Sequence, residues 1–337
     1  MLYVEPYAGV APIIRVIDSA RHSIDLGVYY LSSGKMLDAL RAAHARGVTV
    51  RIILDQRPYH MKPAMVSREW QKAKDTGASV QWAPRRFEMS RSAHHYAFYH
   101  AKFLCTQHTC EIGSANFDWS AFHRNREYLD ITSNPQIVRA ARTVFSADWH
   151  HRQAGNMPHR ILVLSPGSEP GMAAVIQQPG PIYIESEECG DDRQILRVIA
   201  DKGGQAWMIL PSSISQADQR NAAWLASHGV HVRLLPKTPI YLHAKAITGS
   251  QYGFVGSVNF SSSSLNENRE MGVILKGSDL AVLKNQFQKD WTAAVPFHAG
   301  YSQGVGEYAG GGSHWHHWKR HWHDSGYSNG SSSSWRH

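Results

Sequence analysis

The chain has 337 residues, 42% of them apolar and 18% charged, and a formal charge of +8. That is long enough for one large domain or two packed halves with an ample core, and the composition is that of a globular protein. No apolar run approaches the roughly 18–20 residues needed to span a bilayer. Residues 1–6 have neither the basic start nor the apolar stretch of a signal peptide. The expected compartment is therefore cytoplasmic by default, and periplasmic or secreted if a leader has been removed. The positive charge fits an anionic partner, nucleic acid or an anionic lipid surface, and fits general solubility equally. Three cysteines make no disulfide framework. Cys105 and Cys110 flank a short predicted turn and are expected as unpaired core thiols, with a hairpin disulfide as the alternative.

In chain order, residues 23–31 read as a strand, 35–46 as an amphipathic helix, 48–55 as a strand, 64–76 as a helix and 79–83 as a strand. Residues 100–105 and 110–114 read as two strands around a tight turn, 127–132 as another strand and 135–151 as a closing helix. Short apolar strands alternating with amphipathic helices predict an α/β sheet with helices on its faces. The series then returns: residues 41–54 resemble 197–210, displaced by 156, and 77–84 resemble 229–236, displaced by 152. A last helix is expected near 279–293. A period this long implies a duplicated domain rather than a solenoid of short repeats. The falling offset assigns extra loop residues to the first half, most of them in 85–99. The expected organisation is a first half over 1–153, a linker over 154–158, a second half over 159–296 and a tail over 297–337. The tail is rich in Gly, Ser, His and Trp and lacks the apolar periodicity of a segment that folds alone.

The most specific feature is a signature that occurs twice. One copy reads His100-Ala101-Lys102, Gly113-Ser114-Ala115-Asn116 and Asn125-Arg126-Glu127. The other reads His243-Ala244-Lys245, Gly256-Ser257-Val258-Asn259 and Asn268-Arg269-Glu270, every matched residue 143 positions later. Alternate residues of a strand share a face, so each His and its Lys point the same way. Two such copies make a pseudo-symmetric polar site able to hold one phosphate between two imidazoles. One imidazole attacks phosphorus while the other protonates the leaving oxygen. Lys102 and Lys245 place positive charge beside the non-bridging oxygens, and the amides of Asn116 and Asn259 donate further hydrogen bonds. Glu127 and Glu270 are placed to accept Nδ1–H, which fixes the tautomer and leaves Nε2 free. The scheme requires no metal and no cofactor. A lone His-x-Lys says little; the whole ordered set, twice at one spacing, is a strong signal.

These residues resemble the phospholipase D superfamily, whose hallmark is a duplicated His-x-Lys motif followed by Gly-Ser-x-Asn. The resemblance covers roughly residues 3–295 and extends to Glu5-Pro6 with Gly9, Ala45-Arg46-Gly47-Val48, Leu162-Val163-Leu164-Ser165-Pro166 and Asp290-Trp291. It implies an α/β fold of two similar sandwich halves, packed pseudo-symmetrically with the active site at their interface. It implies a phosphohistidine intermediate resolved by water or an alcohol, with His100 as nucleophile and His243 as general acid. Lys102, Lys245, Asn116 and Asn259, with Ser114 and Ser257, would hold the phosphate. Both half-sites lie in one chain, so a monomer is expected to suffice. The sequence departs from the family at the usual Asp five residues after each Lys, which is Gln107 in one copy and Ser250 in the other. That Asp sits near the turn, away from the His, and reads as structural. Its double loss sets an inactive, anion-binding member of the fold beside the active enzyme.

The motif reads phosphate and is nearly silent on what is attached to it. The superfamily includes lipid hydrolases, cardiolipin synthases, nucleases and tyrosyl-DNA phosphodiesterases. A short two-motif chain without appended lipid-binding modules looks most like bacterial phospholipase D and cardiolipin-synthase-like proteins. Hydrolysis or exchange of phospholipid headgroups is the first expectation, and hydrolysis of DNA or RNA the alternative. Arg85, Arg86, Phe87, Arg91, His94, His95 and Tyr96 precede the first motif. They could contact a nucleic-acid backbone and stack on bases, meet a lipid headgroup surface, or form a solvated loop. The loop 56–63 could border the cleft. In the tail, His314, His316, His317, His321 and His323 alternate with Trp315, Trp318 and Trp322. These could bind Zn, Cu or Ni, Lys319 and Arg320 could touch a membrane surface peripherally, or the segment could be a solvated tail.

Overall fold

The first half begins with β1 (Leu2–Glu5), α1 (Ala11–Ser19), β2 (Ser23–Val28), α2 (Gly34–Ala45), β3 (Thr49–Leu54), α3 (Pro63–Lys74) and β4 (Ser79–Trp82). It continues with β5 (Lys102–Thr106), β6 (Cys110–Gly113), α4 (Trp119–His123), β7 (Asn125–Thr132) and α5 (Pro135–Trp149). The second half begins with β8 (Val163–Ser165), α6 (Glu169–Gln177), β9 (Ile182–Ser186), α7 (Arg193–Ala200), β10 (Ala206–Pro211), α8 (Gln216–Ser227) and β11 (His231–Leu235). It ends with β12 (Tyr241–Leu242), β13 (Lys245–Thr248), β14 (Gly253–Gly256), α9 (Ser262–Asn266), β15 (Glu270–Leu275), α10 (Gly277–Ala293) and β16 (Val295–Pro296). This is a computed structural model, and it describes residues 1–90 and 96–298. Arg91, His94, His95 and the His/Trp tail lie outside the described residues.

The two sheets repeat one topology. The first runs β1-β7-β6-β5-β2-β3-β4, and the second runs β8-β15-β14-β13-β9-β10-β11, with β16 added at its edge. In each, two right-hand neighbours of the central strand are parallel and the hairpin side is antiparallel. The chain thus has the two-halved α/β architecture of the phospholipase D fold. One strand crosses over: β12 pairs with β7 of the first sheet.

Alternation along the strands explains the layers. Val50, Ile52 and Leu54 of β3 face a core shared with α1 and α2, whereas Ile53 faces the other way. In β5, Leu104 joins that outer core, and Phe103 and Cys105 join the inner one. The inner core contains Tyr99, Phe103, Tyr128 and Phe145 from the first half with Ile209, Val255, Met271 and Phe287 from the second. Helices α5 and α10 contribute to it, while α6, α7 and α8 cover the outer face of the second sheet. Each fully buried aromatic or aliphatic side chain contributes about 1.5–3 kcal/mol, so the seam between the halves is a hydrophobic core. Helix ends follow local chemistry: Asn134 caps α5 ahead of Pro135, and Ser215 with Asp218 closes a capping box on α8. No described helix is long and apolar enough to cross a membrane.

Two expectations are corrected here. Cys105 and Cys110 are joined by a disulfide rather than unpaired, because they stand directly opposite each other in the β5–β6 ladder with Cα atoms 4.0 Å apart. The strand expected from residue 100 begins at Lys102. The His100 N–H donates to the Arg269 carbonyl of the other half at 2.9 Å instead of to a sheet neighbour.

Candidate active site

The glycine of each Gly-Ser-x-Asn is set by a close approach of strands. A Cβ on Gly113 would lie 2.3 Å from the Tyr128 carbonyl oxygen, and one on Gly256 would lie 2.5 Å from Cα of Gly272. Only glycine permits that spacing. It brings β6 against β7 and β14 against β15, which carry the Asn-Arg-Glu triplets.

Each triplet serves the opposite half. The His100 Nδ1 lies 3.0 Å from both carboxylate oxygens of Glu270. The His243 Nδ1 lies 2.6 Å from Glu127. Arg126 binds Asp290 at 2.6 and 3.0 Å, and Arg269 binds Asp148 at 2.8 and 3.0 Å. The backbone is crossed as well: Arg269 N–H donates to the Phe98 carbonyl at 2.9 Å, and His243 N–H donates to the Arg126 carbonyl at 3.3 Å. The triplet thus combines an orienting carboxylate with a buried ion pair that ties the halves. Asp148-Trp149 mirrors Asp290-Trp291, so a sequence signal for the ion pairs existed. Only the second copy stood out in the sequence.

The carboxylates are themselves held. Glu127 accepts from the Ser114 hydroxyl at 2.5 Å and from Asn125 at 3.3 Å. Glu270 accepts from Ser264 at 2.8 Å and from Asn268 at 3.0 Å. Ser114 and Ser257 are fully buried, and their hydroxyls also accept the Tyr128 and Met271 N–H groups, both at 3.0 Å. Both serines thus brace the carboxylates and strands of the site through these contacts. Asn116 and Asn259 differ: each has a buried Oδ1 without a hydrogen-bond partner.

Lys102 and Lys245 are buried and reach back two residues, donating to the carbonyls of His100 at 2.5 Å and His243 at 2.7 Å. Each His lies two residues ahead of the lysine that opens β5 or β13, and the lysine's reach back brings the pair together. Burial lowers Lys102 to about 7, against the pull of Glu270. Burial also lowers His100, to about 4, outweighing Glu270. Glu270 is pushed up by its own burial, yet its contact with His100 holds it below the usual range. At neutral pH this pair is a neutral imidazole on an ionised carboxylate.

Three residues escaped the sequence reading. Glu187, just after β9, binds Lys245 Nζ at 2.6 Å and lies 3.4 Å from His243 Nε2. Burial would raise it, but His243 and Lys245 hold it down at about 2. Tyr29, just after β2, packs edge-on against the His100 ring at 4.7 Å and lies 5.2 Å beneath Lys102 Nζ. Asp55 accepts the Tyr99 and Arg57 N–H groups, both at 2.7 Å, which fixes the chain leading into His100. Glu187 and Tyr29 occupy matching places with unlike side chains, so the repeat could not flag either.

Other expected groups lie elsewhere. Phe87 is buried between Arg269 and Arg86, not available for stacking, and Arg86 is paired with Asp148 at 2.7 Å. The loop 56–63 does approach the site, since Tyr59 N–H donates to the Tyr29 hydroxyl at 2.5 Å. Gln107 and Ser250 stand at the far ends of β5 and β13, away from the imidazoles. There Ser250 bonds the Pro179 carbonyl at 2.6 Å.

A duplicated α/β fold whose halves exchange carboxylates onto two imidazoles, each beside a lysine, is that of the phospholipase D superfamily. The chain belongs to the family described as cardiolipin synthase, PLD-like domain, which matches residues 13–149 and 182–291. It is 27% identical over 139 residues to the mitochondrial cardiolipin hydrolase of Danio rerio, covering 41% of this chain and 56% of that one. It is 27% identical over 139 residues to a cardiolipin synthase of Listeria monocytogenes, covering 40% of this chain and 26% of that one. The chain thus spans about half or less of these relatives' length. Phosphatidylserine synthase of Haemophilus influenzae shares the fold, with a TM-score of 0.66 at 13% identity over 88% of this chain and 87% of that one.

Proposed function

We propose that the chain hydrolyses or exchanges phospholipid headgroups through a covalent intermediate on His100. The observation that carries this reading is the crossed pairing of His100 with Glu270 and His243 with Glu127. Each imidazole has Nδ1 committed to a carboxylate, which turns Nε2 toward chemistry. The His100 Nε2 attacks phosphorus and forms an N–P bond. The bond to the leaving alcohol breaks as the proton on His243 Nε2 passes to its oxygen. Water or a second alcohol then returns a proton to His243 as its oxygen attacks phosphorus, and the N–P bond breaks. Lys102 and Lys245 offset the charge on the non-bridging oxygens, and the Asn116 and Asn259 amides donate to them.

His100 suits the attacking role because it is neutral at physiological pH and, among the described residues, no carboxylate lies within 4.0 Å of its Nε2. The scheme draws no catalytic step from a metal or cofactor. The choice of lipid rests on the names of the curated relatives, both of which act on or make cardiolipin by those names. It is consistent with Phe87 being buried, which removes one of the groups a nucleic acid would stack on.

The test is turnover in chelator of phosphatidylcholine/phosphatidylglycerol vesicles and of single-stranded DNA in parallel, with His100→Ala as control. Headgroup release should fall on the order of a thousandfold or more in the variant, with an unchanged circular dichroism spectrum. DNA cleavage with intact lipid would replace the lipid reading with the nuclease one. Binding of either substrate without turnover would make the chain an inactive anion-binding member of the fold.

A further inference from the structure

The two halves stop matching at one position. In the ladders, Val28 pairs with Lys102 and Ser186 pairs with Lys245, so Tyr29 and Glu187 are counterparts. Tyr29 gives His100 and Lys102 an aromatic face. Glu187 gives His243 and Lys245 a carboxylate, and it uses the same oxygen, Oε2, for both. His243 consequently has a carboxylate at each ring nitrogen, 2.6 Å from Nδ1 and 3.4 Å from Nε2. His100 has Glu270 at Nδ1 alone, and among the described residues no carboxylate lies within 4.0 Å of its Nε2. A ring with an acceptor at both nitrogens is favoured as the doubly protonated donor; a ring with one acceptor keeps a lone pair on the other nitrogen.

We propose that Glu187 is the positioning residue that sets the direction of the reaction. It holds a proton on His243 Nε2, making that imidazole the donor to the leaving oxygen and leaving His100 to attack. The inference rests on the two-histidine phosphodiesterase reading above. The charged groups facing His243 are Glu127 on β7, Lys245 on β13, Glu187 after β9 and, at longer range, Asp118 at the start of α4. Lys245 opposes protonation, as does Lys102, which shares the cluster with Glu127, Glu187 and Lys245; Glu187 offsets the Lys245 charge at 2.6 Å. Loss of Glu187 therefore acts twice: it removes an anion from Nε2, and it exposes His243 to an unpaired lysine.

Glu187→Gln keeps the shape and removes the charge. On whichever of the two substrates the native chain turns over, the alkaline limb of its kcat/KM–pH profile should move to lower pH, because the anion beside the proton donor is gone. The variant's kcat should fall further than its KM rises, and the trapped phosphoryl group should divide between His100 and His243. Glu187→Asp should recover most of the native limb, and it carries the test if the Gln variant fails to fold. A folded, active Glu187→Gln with an unmoved alkaline limb and label on His100 alone overturns the proposal. A native chain that turns over neither substrate overturns the parent reading, and the proposal with it.

Discussion

The two half-sites are built on the same plan and finished differently. In both, a His lies two residues ahead of a Lys, the Lys reaches back to the His carbonyl, and a Glu from the other half holds Nδ1. On the His100 side the cluster is closed by the ring of Tyr29, and burial drives both His100 and Lys102 toward their neutral forms. On the His243 side it is closed by the ionised Glu187. Duplication supplies two matching imidazoles, and one unlike residue gives them different surroundings, a carboxylate beside His243 and an aromatic ring beside His100. On the proposed reading the repeated residues carry the reaction and the unrepeated pair sets its direction.

Both half-sites are most sensitive at the crossed carboxylates. Glu270→Gln should cost up to about 10⁴-fold in turnover by releasing the His100 tautomer. Glu127→Gln should also be strongly impaired, measured as headgroup release under the same conditions. Equal, mild effects would show that the crossed pairing does not orient the rings. Next in size are the ion pairs that stitch the halves. Asp290→Ala and Asp148→Ala each leave a buried arginine without its carboxylate and should cost about 3–5 kcal/mol in denaturant unfolding. A loss under about 1 kcal/mol would mean that the apolar seam alone holds the halves.

A smaller effect follows from His100. Its folded value of about 4 lies below the ordinary 6.5, so the unfolded chain binds more protons between those limits. The stability this neutral ring contributes is present above 6.5 and is lost as pH falls through about 4. Unfolding free energies of the native chain and His100→Ala, compared across that range, should move in favour of the variant on acidification. Turnover should fall over the same lower range as the nucleophile protonates. The smallest effect is expected at Tyr29→Phe, which keeps the ring but removes the hydroxyl that accepts the Tyr59 N–H. It should cost about 1 kcal/mol of stability, with His100 still the attacking group. A large catalytic loss there would mean that the hydroxyl, and not the ring, matters on that side.

Much of this was legible in the sequence because duplication repeats whatever chemistry requires. The fixed spacing exposed His100, Lys102, Asn116 and Glu127 with their counterparts, and the strand–helix alternation exposed the fold. Four things were not legible, for physical reasons. Which carboxylate serves which imidazole depends on the seam between halves, and local spacing carries no record of it. Ser114 and Ser257 are fully buried, and their contacts to the carboxylates and backbone come from strand packing that residue type does not reveal. Glu187 and Tyr29 differ from each other, so a search for repeats passes over them. The disulfide was missed because composition argued for free thiols, whereas strand register places Cys105 opposite Cys110.

The most direct test of the account is to quench the native chain in alkali during turnover and map the phosphoryl adduct by peptide mass spectrometry. One adduct is expected, on His100, absent from His100→Ala. An adduct on His243, or turnover without any adduct, would contradict it.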